Sequence, residues 1–153
     1  MKTRDEYQKM YTAARWALLV AVIATAVNLV WILIDKSFDF IVCLALPEVL
    51  ALVEIALYSL KAPLFWQIVL VAVLVALLLL YFLIWQFAKA KPRWLTIGCV
   101  LYVIDYVFRL YLLAMDLMGG RNDLGMILIR ILLPTVGLVL IVRGLSARKN
   151  LNR

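Results

Sequence analysis

Asp105 and Arg109 stand one helical turn apart in the middle of Trp94–Met118, a stretch otherwise built almost wholly of apolar residues. An unpaired charge at the centre of a bilayer costs about 2.5–3.5 kcal/mol on insertion scales, so two would cost roughly 5–7 kcal/mol. An acid followed four residues later by a base can meet it along one helix face and remove much of that penalty. The pair therefore reads either as a self-neutralising device that turns the helix inward, or as part of an ion, proton or ligand pathway. Gly98, Tyr102, Leu112 and Asp116 share the same stripe.

Other polar residues fall at comparable depth. Asn28 interrupts a run of small residues, Ala14, Ala17, Ala21 and Ala24, that continues to Trp31 and Asp35. Small residues let helix backbones approach closely, and an amide adds an interhelical hydrogen bond. Arg130 precedes Pro134 by one turn, and the proline withholds a donor from the Arg130 carbonyl. Gly119–Asp123 reads as a tight hairpin, which places Arg130 within reach of Asp116 and Arg109. Glu48 or Glu54, from the segment 40–60, is expected to contribute to the same cluster. The candidate ligand or ion pathway is therefore Asn28, Glu48, Glu54, Asp105, Arg109, Asp116 and Arg130, and a structural salt-bridge network is the competing reading.

Catalytic and metal chemistry finds little support. Histidine is absent, which removes the commonest metal ligand and proton shuttle. Cys43 and Cys99 form no CxxC pair. Asp105 and Asp116 are about 16 Å apart along a helix, too far for a carboxylate dyad. No metalloprotease histidine pair, nucleophile elbow, phosphate-binding loop or dinucleotide glycine fingerprint occurs. The expectation is a non-enzyme with no cofactor and no metal.

The elements that must position these residues are membrane spans. Of 153 residues, 67% are hydrophobic and mean hydropathy is +1.04, more apolar surface than one small soluble core can hide. Spans are expected at residues 16–34, 64–88, 94–118 and 124–142, each near the 20 residues that cross a bilayer. The segment 40–60 carries Pro47, Glu48 and Glu54. A helix begun at Pro47 reaches only about 21 Å, so a re-entrant or interfacial segment on the outer side is expected.

Charge placement supports that count. With four spans and both termini cytoplasmic, the inner side holds Lys2, Arg4, Lys9, Arg15, Lys89, Lys91, Arg93, Arg143, Arg148, Lys149 and Arg153. The outer side holds only Lys36, Lys61 and Arg121. Five spans would nearly even the two sides, against the positive-inside rule. Trp16, Trp85 and Trp94 then mark the inner interface, and Trp31 and Trp66 the outer one. The apolar run 16–34 meets Asp35-Lys36 without a small-residue cleavage site, so it reads as a retained span. The expected fold is all-α: an integral membrane four-helix bundle with one additional re-entrant or interfacial helix, forming one domain over 1–153.

The string Thr25-x-x-Asn28-Leu29, the outer Phe38 and Phe40 before Pro47, and the closing Arg143-Gly144-x-x-Ala147-x-Lys149 resemble a group of small four-pass membrane proteins of Gram-positive bacteria. Glu48 stands where an aromatic commonly follows the proline, and the histidine associated with the last span is absent. The resemblance implies a multi-pass protein and carries over no catalytic residue.

Net charge +7 sits at helix ends, which fits anionic lipid headgroups at the inner face and not a nucleic acid. The first expectation is an accessory or scaffold subunit of the plasma membrane, self-associating or held by another membrane protein. A small transporter or ligand-binding protein with a polar outward vestibule is the alternative, and a lipid-active enzyme using Glu48 or Glu54 is a weaker third.

Overall fold

A computed structural model describes residues 3–35, 44–91, 93–119 and 124–151, without the side chains of 32–35, 116, 124, 126 and 149–151. The chain is all-helical: α1 Arg4–Asp35, α2 Ala45–Ser59, α3 Leu64–Phe87, α4 Arg93–Met118 and α5 Leu124–Leu151. No strand occurs among the described residues. Four of the helices, all but α2, are long and apolar enough to cross a membrane, the pattern of a multi-pass membrane protein. With 15 residues, α2 is about 22 Å long, short of a hydrocarbon core.

Two helices outrun the apolar runs that announce them. α1 starts about three turns before Trp16, where Thr3 and Glu6 exchange hydrogen bonds in a capping box: Thr3 N–H donates to Glu6 Oε2 at 2.8 Å, and Glu6 N–H to Thr3 Oγ1 at 3.4 Å. α5 continues past Val142 to Leu151, because Arg143–Lys149 contains helix formers and no proline.

α1 packs most extensively on α5. Ile141 shares a cluster with Leu18 and Val22, and Leu145 packs with Tyr11 and Ala14, so the two helices run antiparallel. Gly144 makes the close approach possible. A β-carbon there would run into the Ala14 side chain and come within 3.2 Å of the Met10 carbonyl oxygen. Ala14 is fully buried in this contact, and Ala17 and Ala21 pack against the neighbouring core. The small-residue face of α1 is thus used within the chain.

The main core joins α1, α3, α4, α5 and Leu44, the residue that caps α2, through Leu18, Val22, Leu44, Tyr81, Ile84, Cys99, Tyr102 and Ile141. α3 lies at its margin and exposes Phe65, Ile68, Leu79, Leu83 and Phe87, as expected of a face turned to lipid. Tyr81 is the exception to that helix's plain character, only 2% exposed.

Since the obstacle at Gly144 includes backbone, Gly144→Val should destabilise the α1–α5 contact by about 1–3 kcal/mol. Less protein should survive heating in mild detergent, with partial recovery in Ala14→Gly/Gly144→Ala. Unchanged survival of Gly144→Val would contradict the packing.

Candidate functional site

The chemistry-bearing residues meet where α2 begins. An α-helix leaves its first N–H groups without intrahelical partners, and in an apolar interior each must find an acceptor. Leu44 is extended (φ −70°, ψ 134°), and the first intrahelical bond is Glu48 N–H to Leu44 O at 3.4 Å. The remaining donors are all matched. Leu44 N–H donates to Thr25 Oγ1 at 2.8 Å, Ala45 N–H to Asp105 Oδ2 at 2.8 Å, and Leu46 N–H to Asp105 Oδ1 at 2.9 Å. Pro47, also buried, has no N–H to satisfy. Asp105 lies at the midpoint of α4 and is 4% exposed, and its negative charge faces the positive end of the α2 dipole.

The other end of α2 is closed equally fully. Lys61 N–H bonds Tyr58 O at 3.1 Å and Ala62 N–H bonds Leu57 O at 2.9 Å, a Schellman motif. Lys61 holds the left-handed position at φ 53°, where glycine is the usual residue, and Pro63 then precedes α3.

The acid–base pair expected within α4 is replaced by a different one. Asp105 spends both oxygens on α2, while Arg109 Nη2 meets Glu48 Oε2 at 3.6 Å. The side chains of Arg109 and Glu48 are 6% and 14% exposed. The reason is geometric: a helix N-terminus offers two aligned donors to one carboxylate, and one turn further along both helices Glu48 comes level with Arg109.

Asn28 sits one turn beyond Thr25 on α1, so it belongs to the same layer as Glu48 and Arg109. It is fully buried, and neither its Oδ1 nor its Nδ2 has a hydrogen-bond partner. Glu54, half-buried on α2, makes no ion pair among the described residues. Arg130 is half-buried on α5. Its expected pairing with Asp116 falls on a side chain outside the described residues.

Below this layer, Tyr102 O–H donates to Pro134 O at 3.2 Å, passing over Gly137, where a side chain would collide with the phenol. Tyr106 and Thr135 hydroxyls share a hydrogen bond of 2.7 Å, and Thr135 also donates to Ile131 O at 2.6 Å. Pro134 therefore anchors side-chain bonding between α4 and α5. A cavity of about 30 Å³ lies against Ala21, Leu44, Tyr102, Asp105, Tyr106, Leu133 and Pro134, room for one or two water molecules. No cluster of metal-ligating side chains occurs among the described residues.

No family model, curated protein or solved structure matches the chain. The site is therefore read from its own geometry. Sequence reasoning named Asp105, Arg109, Glu48 and Asn28, which the structure brings to two adjacent layers. It gave no role to Thr25 beyond the resemblance and overlooked Tyr81, Tyr106 and Thr135. The available signal was a hydroxyl one turn from Asn28, a polar group in an apolar run.

Asp105→Ala leaves one buried and one part-buried N–H group without acceptors, a loss of roughly 2–6 kcal/mol at about 1–3 kcal/mol each. Asp105→Asn keeps one acceptor and should lose about half as much. The swap Asp105→Arg/Arg109→Asp should not restore folded protein, because arginine accepts no hydrogen bond. Full recovery by the swap, measured as monodisperse protein after detergent extraction, would reinstate the intrahelical pair.

Proposed function

We propose that the protein is a non-enzymatic, four-span helical bundle of the plasma membrane, with both termini cytoplasmic, serving as an accessory or scaffold subunit. α2 is its re-entrant helix, starting at mid-membrane depth and rising to the outer side. The reading keeps the chain beside the small four-pass proteins of Gram-positive bacteria that its sequence resembles. The observation that carries it is the use made of the intramembrane acid. Both oxygens of Asp105 cap α2, so this deep acid is spent on holding helices together. The depth of Asp105, midway along α4, supports placing the start of α2 at the membrane centre.

A second reading, a ligand-binding or transport protein, has one specific observation in its favour. The buried Asn28 amide offers two donors and an acceptor with nothing to meet them, in the layer of the Glu48–Arg109 pair. A group so placed either destabilises the chain or awaits a polar guest.

In a background of Cys43→Ser and Cys99→Ser, Lys61→Cys should react with an impermeant maleimide in intact cells, and Lys91→Cys only after permeabilisation. The reverse pattern would overturn the topology. In-cell crosslinking followed by mild extraction should trap a defined complex larger than one chain. A clean monomer, together with loss of stability in Asn28→Leu, would favour the ligand-binding reading instead.

A further inference from the structure

The end of the molecule that carries the chain termini holds a second polar constellation, separate from the α2 cap. Tyr11 O–H donates to Ala88 O at 2.7 Å, and Arg15 Nη2 donates to Trp85 O at 3.5 Å, so both reach carbonyls at the C-terminal end of α3. The Arg15 guanidinium also lies 5.7 Å from the centre of the Trp85 ring. On α5, Arg148 falls one turn beyond Gly144, whose backbone lies against Met10 and Tyr11, and this places Arg148 at the level of Tyr11. Tyr11 is within electrostatic reach of both arginines.

Among the described residues these two cations meet no counter-charge. Neither Arg15 nor Arg148 has a carboxylate in ion-pair contact among the described residues, and the Nε–H of each is shielded from solvent without an acceptor. Two like charges on either side of one phenol, each with a sealed donor, gain most from a shared anion. Tryptophans mark the depth at which such an anion would lie. The ring centres of Trp16 and Trp85 lie 6.3 Å apart and those of Trp94 and Phe87 5.2 Å apart, both pairs tilted, and tryptophan favours the headgroup level of a bilayer.

We propose that Arg15 and Arg148, spaced by Tyr11, form a binding site for a phosphate group, that of an anionic phospholipid headgroup. Guanidinium forks match the non-bridging oxygens of a phosphodiester, and two of them can clamp one such group. Tyr11 acts as a positioning residue, since its proton is committed to Ala88. The proposal rests on the reading above only in placing this end at a membrane surface.

The test is native mass spectrometry of the full chain in detergent micelles with phosphatidylglycerol or phosphatidylcholine. The wild type should retain phosphatidylglycerol in preference. Arg148→Gln, which removes no bond among the described residues, should cut that preference about fivefold, and Arg15→Gln/Arg148→Gln about thirty-fold. Lys89→Gln/Lys91→Gln should keep it. Inorganic phosphate, added as competitor, should displace little lipid. If it binds alone and the lipid does not, the site takes free phosphate and the headgroup assignment falls. An equal loss in the lysine variant would reduce the site to a diffuse basic face and overturn it, with the topology untouched. No preference in the wild type would overturn both the site and the headgroup reading of this end.

Discussion

A helix that begins inside an apolar interior must find acceptors for its first N–H groups, and most of this structure follows from how α2 meets that demand. Each unsatisfied donor would cost several kcal/mol in hydrocarbon. Thr25 from α1 and Asp105 from α4 supply the acceptors, and Pro47 removes one donor outright. α1, α2 and α4 are therefore tied in register at one level. A slip of one turn in any of them would leave donors exposed to apolar side chains. The α1–α5 contact at Gly144, the Tyr102 bond to the Pro134 carbonyl and the Tyr106–Thr135 hydroxyl pair then attach the last helix to that frame.

The arrangement also explains why two acids and one base sit so deep. Asp105 meets backbone dipoles, and Glu48 meets Arg109, so each charge faces a partner of opposite sign. Had Asp105 paired with Arg109 along α4, the start of α2 would have lost its acceptors and Glu48 its cation. The interhelical solution satisfies more groups with the same residues. Asn28 stands apart from these pairings, a buried amide whose Oδ1 and Nδ2 are both without a hydrogen-bond partner.

Much of this was legible in the sequence, for reasons particular to each element. The four long helices are written in apolar runs long enough to cross a bilayer, with only a few polar residues in each. The short α2 was announced by Pro47 and two glutamates within an apolar run, and it forms inside the expected 40–60. Its N-terminus lies at Ala45, just ahead of the proline, because a residue without an N–H is as welcome at the third helical position as at the first. The choice of partner for Asp105 could not be read. Spacing along one helix reports only i,i+4 neighbours, whereas the decisive contact spans 60 positions. The inward use of the α1 alanine face was hidden likewise, since a small-residue stripe says that a helix approaches but not which one.

The central claim is that the Asp105 carboxylate caps α2. It is tested most directly by solid-state NMR in lipid bilayers, through dipolar recoupling between the Asp105 carboxyl carbon and the amide nitrogens of Ala45 and Leu46. Hydrogen bonds of 2.8 and 2.9 Å place both nitrogens within about 4 Å of that carbon, so strong dephasing is predicted for both. Dephasing absent for both, with a short contact from Asp105 to the Arg109 guanidinium in its place, would contradict the account.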